Sequence, residues 1–124
     1  MKIEVNIGEI ADKYTILKLK MEFIKDLNKF DNIKKEYEYI RKVIKDLDII
    51  DEKMVEELQE VNRKLWEVKD AIRALEYKNN LGPEFIELSR ELSKLNDVRA
   101  IVKKAINTKY DSEFVEEKSH LDHQ

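Results

Sequence analysis

"NDVRAIVKKAIN" (Asn96–Asn107) is the stretch that decides how the chain folds. Read at 100° per residue, its region carries an apolar stripe through Phe85, Leu88, Leu92, Leu95, Val102 and Ile106. One position keeps the rhythm between Leu95 and Val102, and Arg99 fills it. A guanidinium does not shed its proton, and burying it unpaired is prohibitively costly. Arg99 therefore needs an acceptor from another helix. The stretch implies a long amphipathic helix whose inner face is crossed by a polar seam.

The rest of the chain uses the same alphabet. Of its 124 residues, 41% are charged and 42% hydrophobic, with only two glycines and one proline to break helices. That length is expected to form one domain with a core of its own. The net charge is −3, with acids and bases interleaved rather than segregated, which argues against general nucleic-acid binding. Without cysteine there are no disulfides, thiolate chemistry or cysteine zinc sites. No run of about 18 apolar residues is present, so no membrane span is expected. The N-terminal "MKIEVNIGEI" lacks the apolar core of a signal peptide, and a cytoplasmic protein is expected.

"KIEVN" alternates apolar and polar residues, the period of a short strand. From Gly8 onward the period changes. Ile10, Tyr14, Leu17, Met21 and Ile24 lie on one helical face, and Ile16, Leu19, Phe23 and Leu27 widen it, which implies packing on more than one side. Asp31 is the expected N-cap of a second helix, with Ile33, Tyr37, Ile40, Ile44 and Leu47 as its stripe. Asp51 is the expected N-cap of a third, with an Ile50–Val55 staple and a stripe through Leu58, Val61, Leu65, Val68, Ile72 and Leu75. "NNLGP" (Asn79–Pro83) ends it, and Pro83 suits the first position of a fourth helix, with Leu81 and Ile86 as a second staple. The expected fold is all-α: an antiparallel up-down four-helix bundle with coiled-coil-like packing, a short N-terminal extended or strand arm and a C-terminal tail. The helices fall at about 8–29, 32–48, 52–78 and 83–108, with the tail at 109–124 docked on the bundle. Unequal helix lengths leave apolar surface over, so a homodimer is expected.

Polar residues beside the stripes mark the candidate site. Arg99 is flanked by Asn96, Lys103 and Asn107; the third helix carries Asn62, Trp66, Asp70 and Arg73; the first carries Glu9, Asp12 and Lys13. A bundle can bring three such seams together. One reading is a structural salt-bridge network in which Arg99 pairs with Asp70 or Glu9, the asparagines satisfy the remaining groups, and helix register is fixed. A second is a pocket for a phosphorylated small molecule, with Lys13, Arg73, Arg99 and Lys103 as cations and Trp66, the only tryptophan, as a wall. A third uses the i, i+3 pairs Glu9–Asp12 and Glu67–Asp70 to hold magnesium, as all-α nucleotide pyrophosphatases do. His120 and His123 read as part of a solvated tail.

Four blocks resemble a small uncharacterised family, a domain of unknown function, of helical proteins from bacteria and their phages. They are "IGEIADKYTILKLK" (7–20), "NRKLWEVKDAIRALE" (62–76), "NDVRAIVKKAIN" (96–107) and "FVEEKSH" (114–120). The resemblance implies no known reaction. Its matched polar positions are the seam residues together with Asp97 and the Glu116–Ser119 run. Lys69 stands where the family has an acid, which removes one potential metal ligand, and His120 stands where it has tyrosine. No catalytic residue and no metal ligand is assigned. The leading expectation is a non-catalytic binding or assembly module. A magnesium-dependent phosphohydrolase and a plain helical scaffold are the alternatives, and magnesium is needed only by the phosphohydrolase.

Overall fold

The structure is a computed structural model that describes residues 6–47 and 51–122, with side chains described as far as Tyr110. It is all-α, with four helices packed as a bundle: α1 (Ile7–Phe23), α2 (Leu27–Asp46), α3 (Glu52–Tyr77) and α4 (Pro83–Asp122). The expected strand arm at residues 2–6 lies almost wholly outside the described residues, and Ile7 is already helical.

Helix α1 begins where Asn6 caps it, its side-chain oxygen accepting from the Glu9 N–H at 3.2 Å. It lies against all three other helices, whereas among the described residues α2 has helix contacts with α1 alone. This divides α1 into two faces. Ile10 and Tyr14 of the expected stripe face α2, where the Tyr14 and Tyr37 rings stack at 5.4 Å and Ile10 shares a groove with Ile40. The face toward α3 and α4 is built from Ile7, Gly8, Ala11, Asp12, Thr15 and Leu19, all buried. Small residues there let the backbones approach closely, a signal that hydrophobic periodicity alone does not register.

The junction of α1 and α2 differs from the sequence expectation. Helix α1 stops at Phe23 rather than near residue 29, because Ile24 and Asp26 take extended backbone. Asp26, not Asp31, caps α2, accepting from the Asn28 N–H at 3.0 Å and also from Lys29. Either aspartate is chemically fit to cap. The earlier turn starts α2 soon enough to lay Tyr37 on Tyr14 and to bring Ile44 and Leu47 onto the core.

Helix α3 starts as expected, with the Asp51 carboxylate accepting from the Met54 N–H at 3.1 Å; Ile50 of the proposed staple lies outside the described residues. It ends at Tyr77, and Asn79 just past the Lys78 cap takes φ 54°, the left-handed turn that releases a helix. Pro83 opens α4 as expected, while Leu81 and Ile86 are both largely exposed. Helix α4 does not stop at Thr108. It continues to Asp122, 40 residues in all. Thr108, Asp111 and Ser112 are indifferent helix formers that cost only tenths of a kcal/mol each, about 0.5 on common scales, and no glycine or proline forces a break. Beside them, the Tyr110 hydroxyl accepts from the Asp51 N–H at 2.8 Å and Lys109 pairs with the Asp51 carboxylate, which ties α4 to the start of α3.

The core joins Ile7 and Ala11 of α1, Leu58 of α3 and Ile106 of α4, with Val102, Met54 and Tyr110 packed round it. Contacts between α1 and α4 run in opposite order: Gly8 meets Asn107, and Asp12 meets Arg99. Among the described residues, no helix is long and apolar enough to cross a membrane.

Candidate ligand site between α1, α3 and α4

Asp12 sits one turn into α1, with its side chain only 4% exposed. Arg99 of α4 takes this acid rather than the expected Asp70 or Glu9, which pair with Arg73 and Lys103, and reaches it side-on: Nε donates to Oδ1 at 3.0 Å and Nη2 donates to Oδ2. Asn62 of α3 completes the junction, its Nδ2 donating to Asp12 Oδ1 at 2.9 Å and to Thr15 Oγ1 at 2.8 Å. The Thr15 hydroxyl in turn donates to the Asp12 carbonyl at 2.8 Å. Among the described residues, no buried side-chain nitrogen or oxygen lacks a partner. Burial pushes the Asp12 carboxyl up, yet the hydrogen bonds from Arg99 and Asn62, with the charges of Arg99 and Lys103, hold it below its ordinary value on balance. The Asp12 hydrogen bond also raises the Arg99 guanidinium further.

Next to this junction, Lys103 pairs with Glu9 and lies 3.9 Å from Asp12. Asn107 accepts from the Gly8 N–H at 2.6 Å. A Cβ at Gly8 would stand 2.7 Å from the Lys103 carbonyl oxygen, so glycine is required there for close approach.

A cleft of about 180 Å³ opens beside the junction. Ile16, Leu19 and Leu65 give it an apolar floor; Trp66, Lys69, Asp70 and Arg73 line it from α3, and Arg99 from α4. Asp12 occupies the Nε–Nη2 edge of Arg99, which leaves Nη1 on the opposite edge of the guanidinium. Three cations, Lys69, Arg73 and Arg99, line the cleft with one carboxylate, Asp70, which lies 3.8 Å from Arg73.

The sequence-selected residues divide into three groups. Glu9, Asp12, Asn62, Arg99, Lys103 and Asn107 converge on the junction. Trp66, Asp70 and Arg73 join Arg99 at the cleft. Lys13 and Asn96 belong to neither. Lys13 turns to α2 and pairs with Glu36 at 2.6 Å in a separate groove between α1 and α2. Asn96 is exposed and lines neither cleft. Sequence periodicity does not mark Thr15, Gly8 and Tyr110, because their contacts with Asn62, Asn107 and Asp51 arise only when the helices pack. Lys69 had a legible signal. Residues 66, 69, 70 and 73 share one face of α3 at i, i+3, i+4 and i+7.

The acidic pairs do not gather. Asp12 is taken by Arg99 and Glu9 by Lys103, while Glu67 is exposed. Among the described residues, no group of three or more histidines and carboxylates stands in range of one metal ion.

A model of a family of unknown function, DUF6165, matches residues 1–122. The chain belongs to that family. The match spans all four helices, so the junction and the cleft both lie within the DUF6165 region. No match was found among curated proteins or among solved structures.

Proposed function

We propose that this chain is a non-catalytic binding module whose α1–α3–α4 cleft takes a phosphorylated small molecule. The observation that carries the reading is the meeting of Lys69, Arg73 and Arg99 with Trp66 at a cleft with an apolar floor. Cationic donors recognise phosphate oxygens through charge-assisted hydrogen bonds, and Trp66 supplies a wall for the rest of the molecule. The Asp12 junction is the frame that holds Arg99 in place. Engagement of Asp12 and Glu9 by cations speaks against the magnesium phosphohydrolase. A homodimer belongs to the same proposal, supported by Val98 and Ile101, which stand exposed on α4; sedimentation equilibrium tests it.

Trp66 is the only tryptophan, so its fluorescence reports on the cleft directly. Titration with inorganic phosphate, sugar phosphates and nucleotides is expected to give a saturable change with at least one phosphate ester. Thermal unfolding is expected to rise with the same compound, since a ligand that binds only the folded chain stabilises it. The doubly substituted Lys69→Ala, Arg73→Ala protein is expected to keep its fold and lose the response. A flat response across the whole panel rejects the reading.

A further inference from the structure

The aromatic wall of the cleft is not a lone tryptophan. The Phe23 ring stacks on the Trp66 indole with centroids 5.4 Å apart and planes 20° from parallel. The Arg63 guanidinium lies over Phe23 at 5.9 Å and is itself held by a two-point bond to Glu22, at 2.9 and 2.7 Å. Phe23 is the last residue of α1, and the backbone turns extended at Ile24 directly after it. One face of the indole is thereby taken and its orientation fixed, while Trp66 still lines the cleft. A fixed aromatic plane beside an apolar floor is a platform on which a further flat ring can stack.

The dimensions narrow the ligand. A cleft of about 180 Å³ is close to the engineered cavity of roughly 150 Å³ that holds one benzene ring. It has room for a ring system, and the cleft opens to solvent at its rim, where the rest of a phosphorylated nucleoside can lie. The cations lie further along the same helix: Lys69 is three residues past Trp66 and Arg73 seven, about 4.5 and 10.5 Å of axial rise. The Arg73 side chain is 75% exposed, which places it at the open rim. Asp70 stands between them as an acceptor for a hydroxyl or ring N–H.

Resting on the binding role proposed above, we infer that the ligand is a phosphomonoester carrying a planar ring, of the nucleoside monophosphate class. The ring stacks at Trp66 over Ile16, Leu19 and Leu65. The phosphate stays at the rim against Lys69 and Arg73.

The test compares adenosine monophosphate, ribose 5-phosphate and inorganic phosphate by calorimetric titration of the whole chain. Adenosine monophosphate is expected to bind at least tenfold more tightly than ribose 5-phosphate, because stacking on an aromatic is worth about a factor of ten or more. Trp66→Ala is expected to erase that preference, bringing the two compounds to equal affinity, and Trp66→Phe to keep most of it. Should Trp66→Ala unfold, Trp66→Phe and the wild-type comparison still decide. Equal affinity of the wild-type chain for both phosphates overturns the ring assignment and leaves the phosphate reading standing. Binding of none of the three overturns both.

Discussion

The Arg99 guanidinium lies edge-on across the Asp12 carboxylate, with Nε 3.0 Å from Oδ1, and the acid is far more deeply buried than the base: 4% against 26% side-chain exposure. An arginine stands in the apolar rhythm of α4 because α1 presents a buried carboxylate to it. Arg99 supplies the acid's close ion pair. With Arg99 gone, Asp12 would keep only Asn62 and a distant Lys103 at 3.9 Å.

Arg99→Met is therefore expected to lower stability by about 3 kcal/mol, the scale on which a buried pair loses one partner. The double variant Asp12→Leu, Arg99→Met is expected to recover most of that loss, since it removes the stranded charge along with its counter-ion. Urea unfolding of the wild type, both single variants and the double variant closes the cycle. Additive losses would show that the pair is not coupled.

Acid should expose the same pair. Asp12 titrates below its ordinary value in the folded chain, so the unfolded chain binds the proton first. Its contribution is fully present above the ordinary carboxylate value of about 4 and is lost as pH falls through the lowered folded value. Stability measured by urea unfolding is expected to hold level from neutral pH to about 5, then to fall more steeply in the wild type than in the Asp12→Leu, Arg99→Met protein. Parallel curves would assign the acid sensitivity to the surface pairs at Glu22, Glu36 and Asp51.

Gly8→Ala sets helix propensity against packing. Alanine is favoured over glycine within helices by up to about 1 kcal/mol. Its Cβ would meet the Lys103 carbonyl oxygen at 2.7 Å and Asn107 Oδ1 at 2.9 Å, and the first of these is backbone that cannot swing aside. Overpacking of this kind costs roughly 1–3 kcal/mol, so a net loss is expected in thermal unfolding. A raised melting temperature would mean that α1 and α4 stand further apart at this end.

Much of the fold is legible in the sequence. Asp51, Asn79 and Pro83 mark their boundaries through chemistry that acts within four residues. The stripe of α2 is equally plain: Ile33, Tyr37, Ile40, Ile44 and the capping Leu47 are all partly buried, as are Phe30 and Val43 beside them. The break between α1 and α2 is not legible, because Asp26 and Asp31 cap equally well on paper. Nor is the full length of α4, since the bonds that tie it to α3 join Tyr110 and Lys109 to a residue 58 or 59 positions away.

The candidate site divides in the same way. Periodicity and the cost of a buried charge suffice to mark Arg99 as a residue in need of an acceptor, and to mark Asp12, Asn62 and Lys103 as polar groups beside apolar stripes. Those are properties of one helix at a time. Which acid Arg99 would take, that Lys13 would turn toward α2, and that Lys69 would line the cleft depended on the rotation and register of helices about one another. Several carboxylates were chemically equivalent as partners. Only packing around Gly8, Ala11 and Thr15, where α1 comes closest to α3 and α4, brought one of them within 3 Å of Arg99.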